Sequence, residues 1–195
     1  MQENEDAFSV YANEYDAWFD KHTTFYKKEI ACVKKLIGSA LGGLDIGAGS
    51  GRFSLKPAIT CGVEPSFPMR LLAEKRGIHV VDGFAEKLPF EAMLFPFALM
   101  INSLCFIQNP EKALQEAFRV LQKKGFLVVG FIDKLSDLGQ SYETRKETSR
   151  FYRNATFFSC EEVMNLALNA RFDAYRVERE ETDFGIVFLK FFKPS

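Results

Sequence analysis

Leu44-Asp45-Ile46-Gly47-Ala48-Gly49-Ser50-Gly51 is the stretch on which the fold turns. Residues 43–46 read as a short buried strand that runs directly into a turn with glycine at every second position. Glycine accepts positive φ and lets a ligand approach the backbone closely. A helix is expected to start near Ser50, limited by Lys56-Pro57, and to offer free N–H groups and a positive dipole end to an anion. Glu64 follows Asp45 by 19 residues, at the end of a second strand from Thr60 to Glu64. A carboxylate at that strand end can accept hydrogen bonds from both hydroxyls of a ribose. The glycines alone would also suit any tight strand-to-helix turn. The dinucleotide fingerprint G-x-G-x-x-G needs glycine where Arg52 stands, and the observed order is Asp-x-Gly-x-Gly-x-Gly.

Outward from this loop the pattern alternates between helix and strand. Residues 7–20 read as a short aromatic-rich helix. Residues 24–37 read as an amphipathic one, with Phe25, Ile30, Val33, Leu36 and Ile37 near helical spacing and Gly38 past its end. Ser66 is a candidate N-cap for a helix that stops at Gly77. Strands are expected at 78–81, 97–101 and 126–129, the last wholly apolar as a central parallel strand should be. Between the last two, Asn109-Pro110 supplies a capping side chain and a proline at the first helical position. Residues 134–154 are polar, Ser159-x-x-Glu162 is a capping box, and 172–178 and 185–192 read as the last strands. The sum is an α/β, Rossmann-like, doubly wound, mostly parallel seven-stranded sheet with a C-terminal antiparallel hairpin and an N-terminal helical cap. One domain is expected over 1–195: a cap over 1–40, a cofactor-binding half over 41–133, then a lid insertion, last helix and hairpin over 134–195.

Lys plus Arg total 25 and Asp plus Glu 26 in 195 residues, so no field recruits a polyanion, and neither a nucleic-acid nor a membrane partner is expected. The unusual component is 21 Phe beside one Trp, which predicts an aromatic core and pocket. Cys32, Cys61, Cys105 and Cys160 form no C-x-x-C pair and are expected as buried free thiols, with no metal site. The acidic start at 1–6 leads into no apolar run, and no stretch approaches the ~18 residues of a spanning helix, so a cytoplasmic setting is expected.

With these motifs the sequence resembles the class I S-adenosylmethionine-dependent methyltransferases, in particular the methyltransferase-11 domain, from about Tyr11 to Phe192. The stretch from Leu44 to Phe53 is similar to the family's first motif, and Gly62-Val63-Glu64-Pro65-Ser66 to its ribose-binding strand end. Asp82-Gly83-Phe84-Ala85-Glu86-Lys87-Leu88-Pro89-Phe90 resembles the adenine-side loop, and Asn102-Ser103 the strand end beside the methionine moiety. Arg119-Val120-Leu121-Gln122-Lys123-Lys124-Gly125 resembles the turn into the fifth strand. The resemblance implies S-adenosyl-L-methionine as cofactor, held by Asp45, Gly47, Ala48, Gly49, Ser50, Gly51, Glu64, Pro65, Gly83, Ala85, Glu86, Asn102 and Ser103. Three positions depart from the family pattern: Phe95-Pro96 before the fourth strand, Phe126 for a second glycine before the fifth, and Ala170-Arg171-Phe172 without a glycine.

A methyltransferase needs alignment and exclusion of water more than a catalytic motif, and a general base only if the acceptor must first lose a proton. Tyr15, Trp18, Phe19 and His22 lie at helical spacing on one face. They read either as a stripe that docks a cap helix or as substrate contacts, and both can hold at once. With Phe106, Phe151 and Tyr152 they are the candidate acceptor walls; His22 and Tyr15 are the candidate bases. Asn102-Ser103-Leu104-Cys105 lacks the prolines of the Asn-Pro-Pro turn of base-modifying enzymes, and no carboxylate cluster for a metal is visible. Arg145, Lys146, Arg150 and Arg153, diluted by Glu143 and Glu147, read as a solvated helix face. The expectation is methyl transfer to a small-molecule acceptor by in-line displacement. The alternatives are a nucleotide- or NAD-binding oxidoreductase and a cofactor-binding protein without turnover.

Overall fold

The computed structural model describes residues 3–173 and 177–195. Three helices lead the chain: α1 (Glu3–Val10), α2 (Ala12–Lys21) and α3 (Thr23–Ile37). Then follow β1 (Gly43–Ile46), β2 (Ile59–Val63), α4 (Phe67–Lys75), β3 (Val80–Val81), β4 (Phe95–Ile101), α5 (Pro110–Val120) and β5 (Leu121–Ile132). The last elements are α6 (Asp137–Arg145), α7 (Cys160–Asn169), β6 (Val177–Glu181) and β7 (Ile186–Phe192). The strands form one sheet in the order β3-β2-β1-β4-β5-β7-β6, with β7 antiparallel to both of its neighbours and the other pairs parallel. The order reverses beside β1, so the ends of β1 and β4 diverge and leave a crevice there.

β4 shows why helices cover both faces. Its Ala98 and Met100 pack with Leu114 and Ala117 of α5 and Val163 of α7. Phe97, Leu99 and Ile101 point the other way, into a second core with Val33 and Leu36 of α3 and Phe19 of α2. A strand buried on both faces must be apolar throughout, as β4 and the 126–129 run are. The caps form as their residue types dictate. Ser66 accepts from Met69 N, Asn109 from Lys112 N, and the Ser159–Glu162 box closes in both directions.

Several expectations change. No helix follows the glycine loop: residues 50–58 form bends and turns. Only residues 50–56 precede Pro57, too short a run to offset helix nucleation unaided. Two side chains also pull the segment elsewhere. Ser54 Oγ donates to Asp45 at 2.6 Å, and Phe53 packs between Phe19 and Tyr26. The helix expected over 7–20 is two helices that meet at Tyr11, whose backbone is at φ −113° and ψ 25°. The link expected at 179–184 shrinks, because β6 runs to Glu181; part of the strand expected at 172–178 lies outside the described residues. β3 is two residues long, and His79 sits just before it. All four cysteines are free, but only Cys32 is buried; the other three are half-buried. At one departure from the family pattern the chain takes left-handed backbone without glycine, Arg171 at φ 75°.

Candidate active site

A cavity of about 430 Å³ opens where the ends of β1, β2 and β4 meet the N-terminal helices. Asp45, Gly47, Ala48, Gly49 and Ser50 form one wall; Glu64 and Pro65, from the end of β2, form the next. Gly83, Ala85 and Glu86 close one end, and Asn102, Ser103 and Phe106 another. From the cap come Tyr15 and Phe19.

The remaining candidates fall elsewhere. Gly51 lies behind the loop at φ 80°, and a Cβ on it would meet Ala73 Cβ at 3.1 Å. Its glycine is required by packing and backbone, not by a ligand wall. Trp18 and His22 stack on each other at 4.3 Å on the outer side of α2, and His22 Nδ1 lies 2.8 Å from Trp18 O. The stripe therefore splits: Tyr15 and Phe19 face inward, Trp18 and His22 do not, and His22 is no base for this cavity. Phe151 backs the wall, with its ring on Phe8 and Tyr15. Tyr152 lines a separate hollow of about 20 Å³ behind Asn102. The basic residues at 145–153 form no patch: Lys146 pairs with Glu143, Arg150 with Glu14, and the aromatics turn inward.

Missed at the sequence level were Phe8, Arg52 and Phe53 as lining residues, and Glu29 beneath the floor. Phe8 precedes Tyr15 by seven residues, so helical spacing would have found it. In the sequence Arg52 stands where the dinucleotide fingerprint needs glycine and within the first motif, and neither marks it as a lining residue. Nothing in the pattern of α3 marks Glu29 apart from its position within an otherwise buried face.

The glycine loop is held by side chains in place of a helix. Glu64 Oε2 accepts from Gly49 N at 2.9 Å, and Oε1 from Ser66 N at 3.0 Å. Ser103 Oγ donates to Ile46 O at 3.1 Å and ties β4 to β1. On the far side Asp16 of α2 accepts from Ser50 Oγ at 2.5 Å, from Arg52 Nε at 2.8 Å and from Arg76 Nη2 at 2.7 Å. Glu86 Oε1 accepts from the backbone N–H groups of Gln108 and Asn109, which joins the 83–86 loop to the segment before α5.

Two acids line the cavity without a cation of their own. Burial pushes Asp45 up to about 6, against the single hydrogen bond from Ser54. Burial also pushes Glu64 up to about 7, against two backbone N–H bonds and the charge of Arg70. Arg52, the cation on the wall, is already claimed by Asp16 and Asp20. The unmet charge in the cavity is thus negative, which suits a ligand that carries sulfonium and ammonium charges. One further feature fits S-adenosylmethionine. A Cβ on Gly49 would meet nothing within 4 Å, so its bare Cα faces open space that a ligand can fill. Asn102 Oδ1 is closed to the cavity, a buried acceptor without a partner among the described residues.

Comparison with known proteins agrees with this geometry. Residues 44–129 match the methyltransferase domain family model. An uncharacterized protein of Methanocaldococcus jannaschii is 44% identical over 82% of this chain and 77% of its own length. A Thermotoga maritima structure, described as an S-adenosylmethionine-dependent methyltransferase and possible histamine N-methyltransferase, is 39% identical. It covers 96% of this chain and 99% of its own, with a TM-score of 0.89. A chain from the Haloferax volcanii complex between the Trm112 methyltransferase activator and its methyltransferase shares the fold, with TM-score 0.77, 16% identity and full coverage of both chains. With the nicotinamide alternative set aside by these relatives, the chain belongs to the S-adenosylmethionine-dependent methyltransferase family.

Proposed function

We propose that the protein transfers the methyl group of S-adenosylmethionine to a small-molecule acceptor. The observation that carries this reading is the cavity, about 430 Å³, with carboxylates, hydroxyls and the glycine-loop backbone along one part and aromatic rings along the rest. Glu64 would accept the ribose hydroxyls, Gly49 would give the cofactor room, and Gly83, Ala85 and Glu86 would flank the adenine. Asn102 and Ser103 would border the methionine end. When bound, the cofactor supplies an electrophilic methyl group on its sulfonium.

The chain's own residues align and shield. Tyr15, Phe19 and Phe106 wall the acceptor end and keep water from it. Burial drives the Tyr15 phenol far above its ordinary range, so it serves as a neutral wall and not as a base. The cap sits across the mouth, and its clamp to Ser50, Arg52 and Arg76 restricts access by a folded protein or a duplex. The balanced net charge of −1 gives no attraction for a polyanion. Nothing long and apolar enough to cross a membrane occurs among the described helices, and we place the enzyme in the cytoplasm. A test is to incubate the protein with tritium-labelled S-adenosylmethionine and a cell extract split by size. Label is expected in the small-metabolite fraction; label only in protein or nucleic acid would refute the small-acceptor reading.

A further inference from the structure

Glu29 has no part in the function just described, yet its carboxyl lies where a charge is poorly tolerated. It is 1% exposed on α3, and no ion pair reaches it among the described residues. Asn102 Nδ2 donates to its Oε1 at 2.7 Å. Asn102 Oδ1, on the same amide, is closed to solvent and to the main cavity, and no donor reaches it among the described residues. An ionised carboxylate can only accept, so it answers Nδ2 and cannot answer Oδ1. Turning the amide over would only set two acceptors against each other. An ionised Glu29 therefore leaves two faults side by side, a buried charge without a counter-charge and a buried acceptor without a donor.

One proton removes both. A neutral carboxyl and a primary amide are planar forks of like span, each with one donor and one acceptor oxygen. With the proton on Oε2, Nδ2 donates to Oε1 and Oε2 donates to Oδ1, in parallel. The surroundings suit a neutral pair. The titratable groups that feel Glu29 are Tyr15 of α2, Tyr26 and Cys32 of α3 itself, Tyr142 of α6, and Tyr152. Burial pushes each of them up, so all are uncharged at neutral pH, and no cation acts on Glu29. Burial also pushes Glu29 up to about 7, against the bond from Nδ2. A bond to Oδ1 exists for the protonated form alone and raises it further.

The pair lies behind a turn that matters. Asn102 follows β4 in left-handed backbone at φ 55°, and its N–H donates to Gly130 O at 2.8 Å. Such backbone is uncommon outside glycine and needs support from its surroundings. Ser103, the next residue, ties the turn to Ile46 O, and both residues line the main cavity. We propose that Glu29 stands protonated in the folded protein and closes a two-bond acid–amide pair with Asn102, which fixes the turn after β4 against which the cofactor rests. This rests on the reading of the main cavity as the cofactor site. Glu29 touches no ligand and acts through Asn102, as a positioning residue.

The test uses the full chain with Glu29→Gln and Glu29→Asp. Gln presents an NH2 group to Oδ1 and an oxygen to Nδ2, so it keeps both bonds without a charge. Asp keeps the acid but is one methylene too short to span the amide. The infrared difference between wild type and Glu29→Gln at pH 6 is expected to show the C=O stretch of a protonated carboxyl, shifted in heavy water. Glu29→Gln should melt above the wild type at pH 9, because a raised acid loses its contribution as pH climbs through its folded value. By calorimetry at pH 7, Glu29→Gln should bind S-adenosylhomocysteine within about twofold of wild type, and Glu29→Asp at least fivefold more weakly. A role for the charge itself would reverse that order. Absence of the carboxyl band, a Glu29→Gln protein that melts below wild type at pH 9, or Glu29→Asp binding as tightly as Glu29→Gln overturns the proposal. A wild-type protein that fails to bind S-adenosylhomocysteine would instead strike the cofactor reading of the cavity, with the infrared band still deciding the pair.

Discussion

Asp16 and Arg52 meet across the seam between the cap and the glycine loop, Oδ1 to Nε at 2.8 Å, each 13% exposed. Asp16 also binds Ser50 and Arg76, so one carboxylate joins α2, the loop that follows β1 and the end of α4. Against the upward push of burial, the hydrogen bonds from Arg52, Ser50 and Arg76 hold its carboxyl down at about 2. Asp16→Ala is expected to lose about 2–3 kcal/mol of stability, because two guanidinium groups lose a partner in a half-buried place. Asp20→Ala should change little, since Asp20 is exposed. Urea denaturation of the two variants checks the contrast; equal losses would show that Asp16 is not the centre of the clamp.

Glu64 is expected to tie cofactor affinity to pH. Its carboxyl sits at about 7 in the free protein, chiefly through burial. Ribose hydroxyls bond more strongly to the ionised carboxylate than to the neutral acid, so binding favours loss of the proton where it is present. S-adenosylhomocysteine affinity should therefore rise with pH through about 7 and fall by up to tenfold per unit below it. Glu64→Gln should flatten that profile and weaken binding by about 1.5–3 kcal/mol. Calorimetry in two buffers of different ionisation heat reads the released proton, and a wild-type profile flat from pH 6 to 8 would remove the ribose role.

The same burial sets the stability of the cofactor-free protein. Asp45 is raised to about 6, and Glu29 and Glu64 to about 7. Between their unfolded values near 4 and these folded values, the native state holds more protons than the unfolded one. Their contribution is thus fully present below about pH 4 and is lost as pH rises through 6 and 7. The melting temperature of the free protein is expected to be higher at pH 5.5 than at pH 8, and the gap to narrow when S-adenosylhomocysteine is bound. A melting temperature that rises from pH 5.5 to 8 would contradict this assignment.

Gly47 and Gly49 should separate folding from binding. A Cβ on Gly47 would meet Ser103 Cβ at 2.6 Å, inside the packed join of β1 to β4. One on Gly49 meets open space, with only φ 52° to oppose it. Gly47→Ala is expected to destabilise the fold by about 2 kcal/mol or more through overpacking and backbone strain. Gly49→Val should leave a folded protein that no longer binds S-adenosylhomocysteine. Circular dichroism and calorimetry on both variants give the comparison; normal binding by Gly49→Val would reduce the loop to a turn.

Where sequence was readable, one residue type did one job. The glycine alternation, the Ser66 and Asn109 caps and the Ser159–Glu162 box each form locally, and apolar runs such as 97–101 need only be buried. The failures come where a partner far along the chain decides. Before Pro57 the stretch 50–58 carries Gly51 as its helix breaker, and partners elsewhere finish the work: Asp45 captures Ser54 and the cap captures Ser50 and Arg52. The stripe at Tyr15, Trp18, Phe19 and His22 has one face by spacing, but only Tyr15 and Phe19 line the cavity, while Trp18 and His22 stack on each other away from it. Glu29 is the clearest case. Spacing puts it on the buried face of α3 with Val33 and Leu36, but its residue type reads as surface until Asn102, 73 residues on, is brought against it.

The cap is the element whose removal should cost function before fold. Its Phe8, Tyr15 and Phe19 wall the cavity, and Asp16 fastens it to the glycine loop that lines the same cavity. The sheet has its own core, in which α5 and α7 cover one face without any residue of α1 or α2. On the other face α2 supplies Phe19 to the core, beside Val33, Leu36 and Ile37 of α3, and Ala12 is buried outside that cluster. Deleting residues 1–22 is thus expected to leave a folded sheet, destabilised by a few kcal/mol, about what the loss of one buried Phe and the clamp entails. Cofactor retention should fall sharply, because Ser50, Arg52 and Arg76 lose their anchor and water reaches the site. Equilibrium dialysis with S-adenosylhomocysteine, alongside a denaturation curve, measures both. A truncated protein that holds the cofactor as tightly as the full chain would show that the cap serves the acceptor alone.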